Sequence, residues 1–344
     1  MPYVSEQVFR ERLPQDASHT NHAVVLVSPH RFFETGGGAI FAFRRAMRCI
    51  SLTCDPLVGP EIDLGEAVDE FDATFESDAA VFAGVSGVLA RALAERGYSV
   101  LKMGEEPWVD LAAFEPKGNR GKGVRAARNQ ALRAGCVAEE WDETRFRERR
   151  PEVEAVFQEW RGLTLVSLEG GILATAPFAE IPGRRYFVAS CQGRIEAVLV
   201  ATPVKAGVTY YLEDLVYRRK SVRGVQELLM LAAMEGLRQS GVQSVNLGLV
   251  LLRKMERMGE STYSARSITA RLLGTAISLA YNAKGQDLFR KRFPVAVWEP
   301  AYLAFRGPRR MFGRVTRWFP AAALIWSLLA MLADLEPTFI WPWF

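Results

Sequence analysis

The 344-residue chain has only three histidines, His19, His22 and His30, all near its start. That scarcity argues against a histidine-rich metal site and against a histidine-based triad drawn from the later chain. No metal or other cofactor is expected. Four cysteines occur, Cys49, Cys54, Cys136 and Cys191, without a C-x-x-C pair. They are expected to be reduced, buried thiols of a cytosolic protein. Lys and Arg are absent from Cys49 to Ala90, where nine acids stand between Asp55 and Asp78. The opening, MPYVSEQVFRERLPQD, is polar and lacks the apolar core of a signal peptide.

Hydrophobic residues make up 49% and charged residues 24%, which is globular composition and excludes long disorder. The length suits about two domains, enough to bury a core without disulfide or metal staples. Net charge is only +4, but nine basic residues lie between Lys284 and Arg317 against two acids, Asp287 and Glu299. Such polarity suits an anionic partner, nucleic acid or membrane, or else ordinary solvated faces.

Strands are expected at His22–Ser28, Ala39–Ala42, Cys49–Thr53 and Tyr98–Met103, with helices at Glu66–Phe75 and Ala80–Arg96. After a basic, turn-rich stretch, a helix is expected at Arg147–Arg161. Strands follow near Tyr186–Cys191, Ile195–Thr202 and Thr209–Glu213, then a loop through Arg218–Gly224, helix Val225–Arg238 and strand Val242–Leu247. Both halves thus read as α/β (α+β), with strands, a glycine-marked loop, a helix and another strand. Near the end, Arg306, Arg309, Arg310, Arg314 and Arg317 precede an uncharged run from Pro320 to Ala333. Its fourteen residues span about 21 Å as a helix, short of a ~30 Å hydrocarbon core. This apolar helical tail is expected either in the membrane interface, its arginines on anionic headgroups, or docked on protein.

Several residues could carry chemistry. Glu213 and Asp214 end a strand just before Arg218. A carboxylate there can act as a base and a guanidinium can steady an oxyanion, unless they form a surface ion pair. Arg125 and Arg128 lie three apart, so they can share a helix face and take phosphate of RNA or lipid, or remain solvated. Gly224 precedes a helix where a backbone N–H could approach a phosphate, or merely ends a loop. Asn246 closes a strand, where it can bond a carbonyl in a cleft or cap a turn.

Five segments taken in order resemble one family. They are Phe32-Phe33 to Phe43 with Asp55-Pro56-Leu57-Val58-Gly59-Pro60-Glu61, Gly104-Glu105-Glu106 to Leu111, Lys122 to Gly135, Asn246-Leu247-Gly248-Leu249, and Leu288 to Phe305. Over about Phe32 to Phe305 the chain resembles the C-terminal synthase domain of phosphatidylglycerol lysyltransferases (multiple peptide resistance factor). The resemblance implies two tandem GNAT-like acyltransferase domains, here residues 1–115 and 116–308, followed by the tail at 309–344. The family's flippase is not matched, so translocation is not implied. Arg125, Arg128 and Asn129 match the family's basic segment, and Lys291, Trp298 and Glu299 match the last one, where they would shape the cleft.

The resemblance implies an enzyme that moves an amino acid from aminoacyl-tRNA to phosphatidylglycerol or a related anionic lipid, at the cytoplasmic face of the cell membrane. Asp214 or Glu213 would be the base, Arg218 would steady developing charge, and Arg125 and Arg128 would hold phosphate. Two alternatives stay open. One is an N-acyltransferase using acyl-CoA or an acyl carrier protein, against which the single Gly224 counts. The other is a non-catalytic module that binds lipid or RNA.

Overall fold

The computed structural model describes residues 3–27, 29–46, 48–115, 118, 121–161, 176–205, 207–254 and 283–307. The first set of elements is β1 (Tyr3–Val4), α1 (Glu6–Asp16), β2 (Arg31–Glu34), β3 (Ile40–Ala46), β4 (Cys49–Leu52), α2 (Leu64–Thr74), β5 (Ala79–Val85), α3 (Gly87–Glu95) and β6 (Ser99–Asp110). The second is α4 (Lys122–Arg133), β7 (Cys136–Trp141), α5 (Glu143–Glu148), α6 (Arg150–Arg161), β8 (Arg185–Cys191), β9 (Arg194–Lys205), β10 (Thr209–Tyr217), α7 (Val225–Gln239), β11 (Ser244–Asn246), β12 (Val250–Leu251), α8 (Ala283–Arg290) and β13 (Val297–Arg306).

Both sets run the same course. Three antiparallel strands lead into a strand–helix–strand crossover, β4–α2–β5 in one and β10–α7–β11 in the other, with the flanking strands parallel. The α/β architecture read from the sequence is therefore present. Among the described residues all strands join one mixed sheet in the order β1-β2-β3-β4-β5-β13-β6-β11-β10-β9-β8-β7, with β12 beside β6. The closing strands are exchanged between the sets. β6 pairs with β11, and β13 inserts between β5 and β6.

Strand alternation divides the core into layers. In the second set Phe187, Ala189, Leu199 and Ala201 pack under α4 and α7. Tyr186, Val188, Val198 and Val200 pack under α5 and α6. In the first set Phe33, Phe41, Phe71, Phe82 and Tyr98 fill one face, while Phe9, Val25, Phe32 and Ile40 fill the other. Fully burying such a side chain contributes about 1.5–3 kcal/mol.

Four expectations need correction. The single helix over Ala80–Arg96 is a strand, β5, followed by α3. Every residue of β5 is buried, and Ser86 breaks the run by capping α3, its side chain accepting the Leu89 N–H. A fully buried strand has no polar alternation to betray it. The apolar run after His22 is not a strand but turns into a short 3-10 helix, Val24–Val27, with Val25 packed beside Phe9. Cys136 and Cys191 face each other across β7 and β8 and are joined as a disulfide, so only Cys49 and Cys54 are thiols. Arg306 does not belong with headgroup-facing arginines, being 7% exposed. Its Nε donates to Asp72 and to the Tyr98 hydroxyl, each at 2.9 Å, and its Nη1 donates to the Asp78 carbonyl. The rest of the expected tail lies outside the described residues. Among the described residues no helix is long and apolar enough to cross a membrane.

Arg306 ties the end of β13 to α2 in a buried setting, where removing one partner strands the other charge. Arg306→Ala is expected to cost about 3–5 kcal/mol, measured as a lowered urea midpoint. A double change of Arg306 and Asp72 to apolar residues should recover part of the loss.

Candidate functional site

The sheet parts in the second set. β10 and β11 pair only through Thr209–Tyr211 and Ser244–Asn246. Beyond that point β10 continues against β9 alone, with a bulge between Leu212 and Asp214 that makes Glu213 the extra residue. After Asn246 the chain turns through Gly248 into β12, which pairs with β6. An opening therefore starts at Asn246, flanked by the Glu213–Asp214 bulge on one arm and the Gly248 turn on the other.

Asn246 is fully buried, and its side chain is used at both ends. Nδ2 donates to Glu106 Oε2 at 2.8 Å, and Oδ1 accepts the Gly248 N–H at 2.7 Å. The Thr20 hydroxyl donates to the same Glu106 carboxylate at 3.3 Å. Burial pushes Glu106 above the usual carboxylate range. His19 and the bonds from Asn246 and Thr20 pull against that shift, and Glu299 adds to it. Glu299 lies directly across from Glu106 on β13, and Trp108 directly across from Asn246. Glu106 and Trp108, two residues apart on β6, share a face. The Trp108 indole N–H is buried there with no acceptor among the described residues.

The segment before β2 braces this face. His22 Nδ1 accepts the N–H groups of Ser18 and His19, and its Nε2 meets the Asp55 carbonyl at 2.9 Å. His19 Nδ1 accepts the Asn21 N–H, and its Nε2 lies 4.0 Å from the Asp55 carboxylate. In the neutral His22 ring those bonds assign the proton to Nε2. Asp55 in turn accepts the backbone N–H of Ser86 at 2.9 Å and the Ser86 hydroxyl. The two histidines are thus struts between the segment and the first set of strands. Among the described residues no cluster of His, Cys, Asp or Glu could hold a metal ion.

Glu105 points the other way. Lys102 and Arg253 bond it at 2.6 and 2.7 Å, and Arg253 also pairs with Asp287. The Arg253 guanidinium stacks 3.6 Å above the Trp298 ring, and Lys291 pairs with Asp287. Burial opposes the charge on Glu105, but the bonds and charges of Lys102, Lys254 and Arg253 outweigh it and hold the carboxyl below its ordinary range. The expected cleft trio is therefore divided. Glu299 faces Glu106 and Asn246, whereas Trp298 and Lys291 belong to the Arg253 network on the opposite face.

The remaining expected residues are dispersed. Arg218 does not offer its guanidinium to the opening. It pairs with Glu159 of α6 at 2.9 Å and donates from Nε to the Ile195 carbonyl at 2.7 Å, so the oxyanion role assigned to it is corrected. Gly224 has φ +89°, and a Cβ there would strike the Ala127 carbonyl of α4. The glycine thus permits the close α4–α7 crossing. α4 brings Arg125 and Arg128 to the start of α7. There Arg125 bonds the Gly118 carbonyl and Arg128 bonds Asn129 Oδ1. Sequence reasoning gave no role to Glu106, Thr20, His19, Trp108 or Arg253. A legible signal for the first was the adjacent acids Glu105 and Glu106 at the middle of the strand.

The fold and the seam define a two-lobed α/β domain with a buried acid–amide pair where its sheet divides. Residues 10–305 match the family model for "Phosphatidylglycerol lysyltransferase, C-terminal", and the chain belongs to that family. A phosphatidylglycerol lysyltransferase of Bacillus subtilis (strain 168) is 22% identical over 307 residues, covering 85% of this chain and 34% of that protein. The chain therefore spans about a third of that relative's length. Among solved structures, the C-terminal domain of a putative lysylphosphatidylglycerol synthetase from Agrobacterium fabrum has a TM-score of 0.74 at 22% identity, covering 96% of this chain and 97% of the other. L-PGS from Bacillus licheniformis has a TM-score of 0.75 at 20% identity, covering 95% and 96%. These likenesses establish a shared fold.

Burial, aided by the neighbouring His19, lowers the pKa of His22 to about 4. The unfolded chain takes up this proton as pH falls past about 6.5, and the folded chain only near 4. Stability should therefore fall across that window, by up to about 3 kcal/mol, and this group should add no slope above it. Urea midpoints at pH 7 and pH 5 measure the effect. His22→Asn should lower stability at pH 7 but flatten the pH dependence. Gly224→Ala combines a left-handed backbone with a backbone clash and should cost at least about 2 kcal/mol by the same measurement.

Proposed function

We propose that this domain transfers an aminoacyl group from aminoacyl-tRNA to a hydroxyl of phosphatidylglycerol or a related anionic lipid. Membership of the family supports a lipid aminoacyl acceptor. The observation that carries the reading to particular residues is the Glu106–Asn246 pair at the head of the opening. An aminoacyl ester is already activated, so positioning, one base and a donor to the carbonyl oxygen suffice.

The Glu106 carboxylate, with Glu299 across from it, suits the ammonium group of the transferred amino acid. The Trp108 N–H suits its carbonyl oxygen. Glu213 or Asp214, on the bulged arm, takes the proton of the lipid hydroxyl as its oxygen bonds the aminoacyl carbon. The bond from that carbon to the tRNA ribose oxygen breaks, and the ribose oxygen leaves with a proton. Arg125 and Arg128 of α4 suit tRNA or lipid phosphate. The reaction places the domain at the cytoplasmic face of the cell membrane, where charged tRNA and lipid meet. The acyl-CoA reading is weakened by the Ala127 carbonyl lying against Gly224, where a diphosphate loop needs open backbone.

The test uses purified protein, phosphatidylglycerol vesicles and a panel of labelled aminoacyl-tRNAs. Labelled lipid from at least one tRNA is expected, and none from any of them overturns the reading. Glu106→Gln and the effective base variant, Asp214→Asn or Glu213→Gln, should each lose roughly 100-fold or more in rate. Trp108→Phe, which keeps the ring and removes the N–H, should lower kcat more than it raises KM.

A further inference from the structure

We propose that α8 is the surface that seats the domain on an anionic bilayer beside the opening at Asn246, an inference that rests on the lipid-acceptor reading. The helix is fastened on its inner side. Phe289 packs against the core under α4 and α7. Arg290 Nε donates to the Leu247 carbonyl at 2.7 Å, next to the Gly248 turn. Just past the helix, Arg292 pairs with Glu227 in the first turn of α7.

The outer side is different. Lys284, Leu288 and Lys291 recur at i, i+4 and i+7, which is one stripe along a helix. All three are exposed, Lys291 while paired with Asp287. Leu288 is 64% exposed. A large apolar side chain set between cations matches a headgroup layer, where the cations meet phosphate and the apolar group reaches toward the acyl boundary. One such residue ringed by charge is too little for the apolar core of a dimer interface. The complementary charge therefore commits the patch to anionic lipid. Because Arg290 touches the turn that borders the opening, a bilayer held by α8 brings headgroups to the reactive end of the sheet.

Leu288→Cys carrying an environment-sensitive fluorophore tests the contact directly. Its emission is expected to shift to the blue, and to resist an aqueous quencher, with phosphatidylglycerol vesicles and not with phosphatidylcholine vesicles. Unchanged emission while the protein co-sediments with the anionic vesicles overturns the proposal. A blue shift without vesicles that grows with protein concentration also overturns it, in favour of a second copy of the chain. In a second arm, Lys284→Gln should lower transfer to vesicle-embedded phosphatidylglycerol by about fivefold, the worth of one lysine at an anionic surface. Transfer to a water-soluble short-chain phosphatidylglycerol should be unchanged. Equal loss on both acceptors, or no loss on vesicles, counts against α8. If the unaltered protein modifies neither acceptor, the proposed reaction fails instead, and the fluorophore still decides the docking surface.

Discussion

The pairing of β6 with β13 is the constraint on which the rest of the structure depends. Its ladder runs from Val297 against Trp108 to Phe305 against Ser99, joining the end of the described chain to a strand nearly two hundred residues earlier. Because β13 also completes the first set on β5, and β6 completes the second on β11, each half borrows its last strand from the other. Such long-range pairing forms only after the entropy of closing large loops has been met, so both halves are expected to consolidate together. Gly104 marks how tightly the centre is built. A Cβ there would run into the Val250 carbonyl of β12.

The same ladder sorts the chemistry. Successive residues of a strand face opposite ways. Glu105 consequently joins Lys102, Arg253 and Asp287 in a structural network, while Glu106 meets Thr20, Asn246 and Glu299. The difference in surroundings then separates two chemically identical carboxyls. Glu105 is held below the ordinary range by cations that outweigh its burial, and Glu106 is lifted above it by burial that its neutral donors do not offset. A reactive or binding role fits the second better, because its charge is not already cancelled.

Much of the fold was legible locally. The β10–α7–β11 unit announced itself through an apolar strand, a glycine before the helix and a broad buried stripe on α7. The five ordered segments carried the family. What was not legible failed for identifiable reasons. β5 concealed itself because burial on both faces removes the alternation that marks a strand. Arg306 read as a surface cation because its partners, Asp72 and Tyr98, lie more than two hundred positions away. At the site, Asn246 stood out as a polar residue closing a strand. Its partners Thr20 and Glu106 carried no local mark of belonging beside it.

By itself the sequence determined the α/β class, the two related halves, the family and the segments that carry the polar residues, because periodicity, helix caps and ordered motifs are local properties of the chain. Tertiary structure alone decided which strand lies beside which, that Arg218 bonds Glu159 and not the opening, that Trp298 and Glu299 serve opposite faces, and that two early histidines brace the seam. Those outcomes follow from sheet register and burial, which arise only when distant segments pair and exclude water between them.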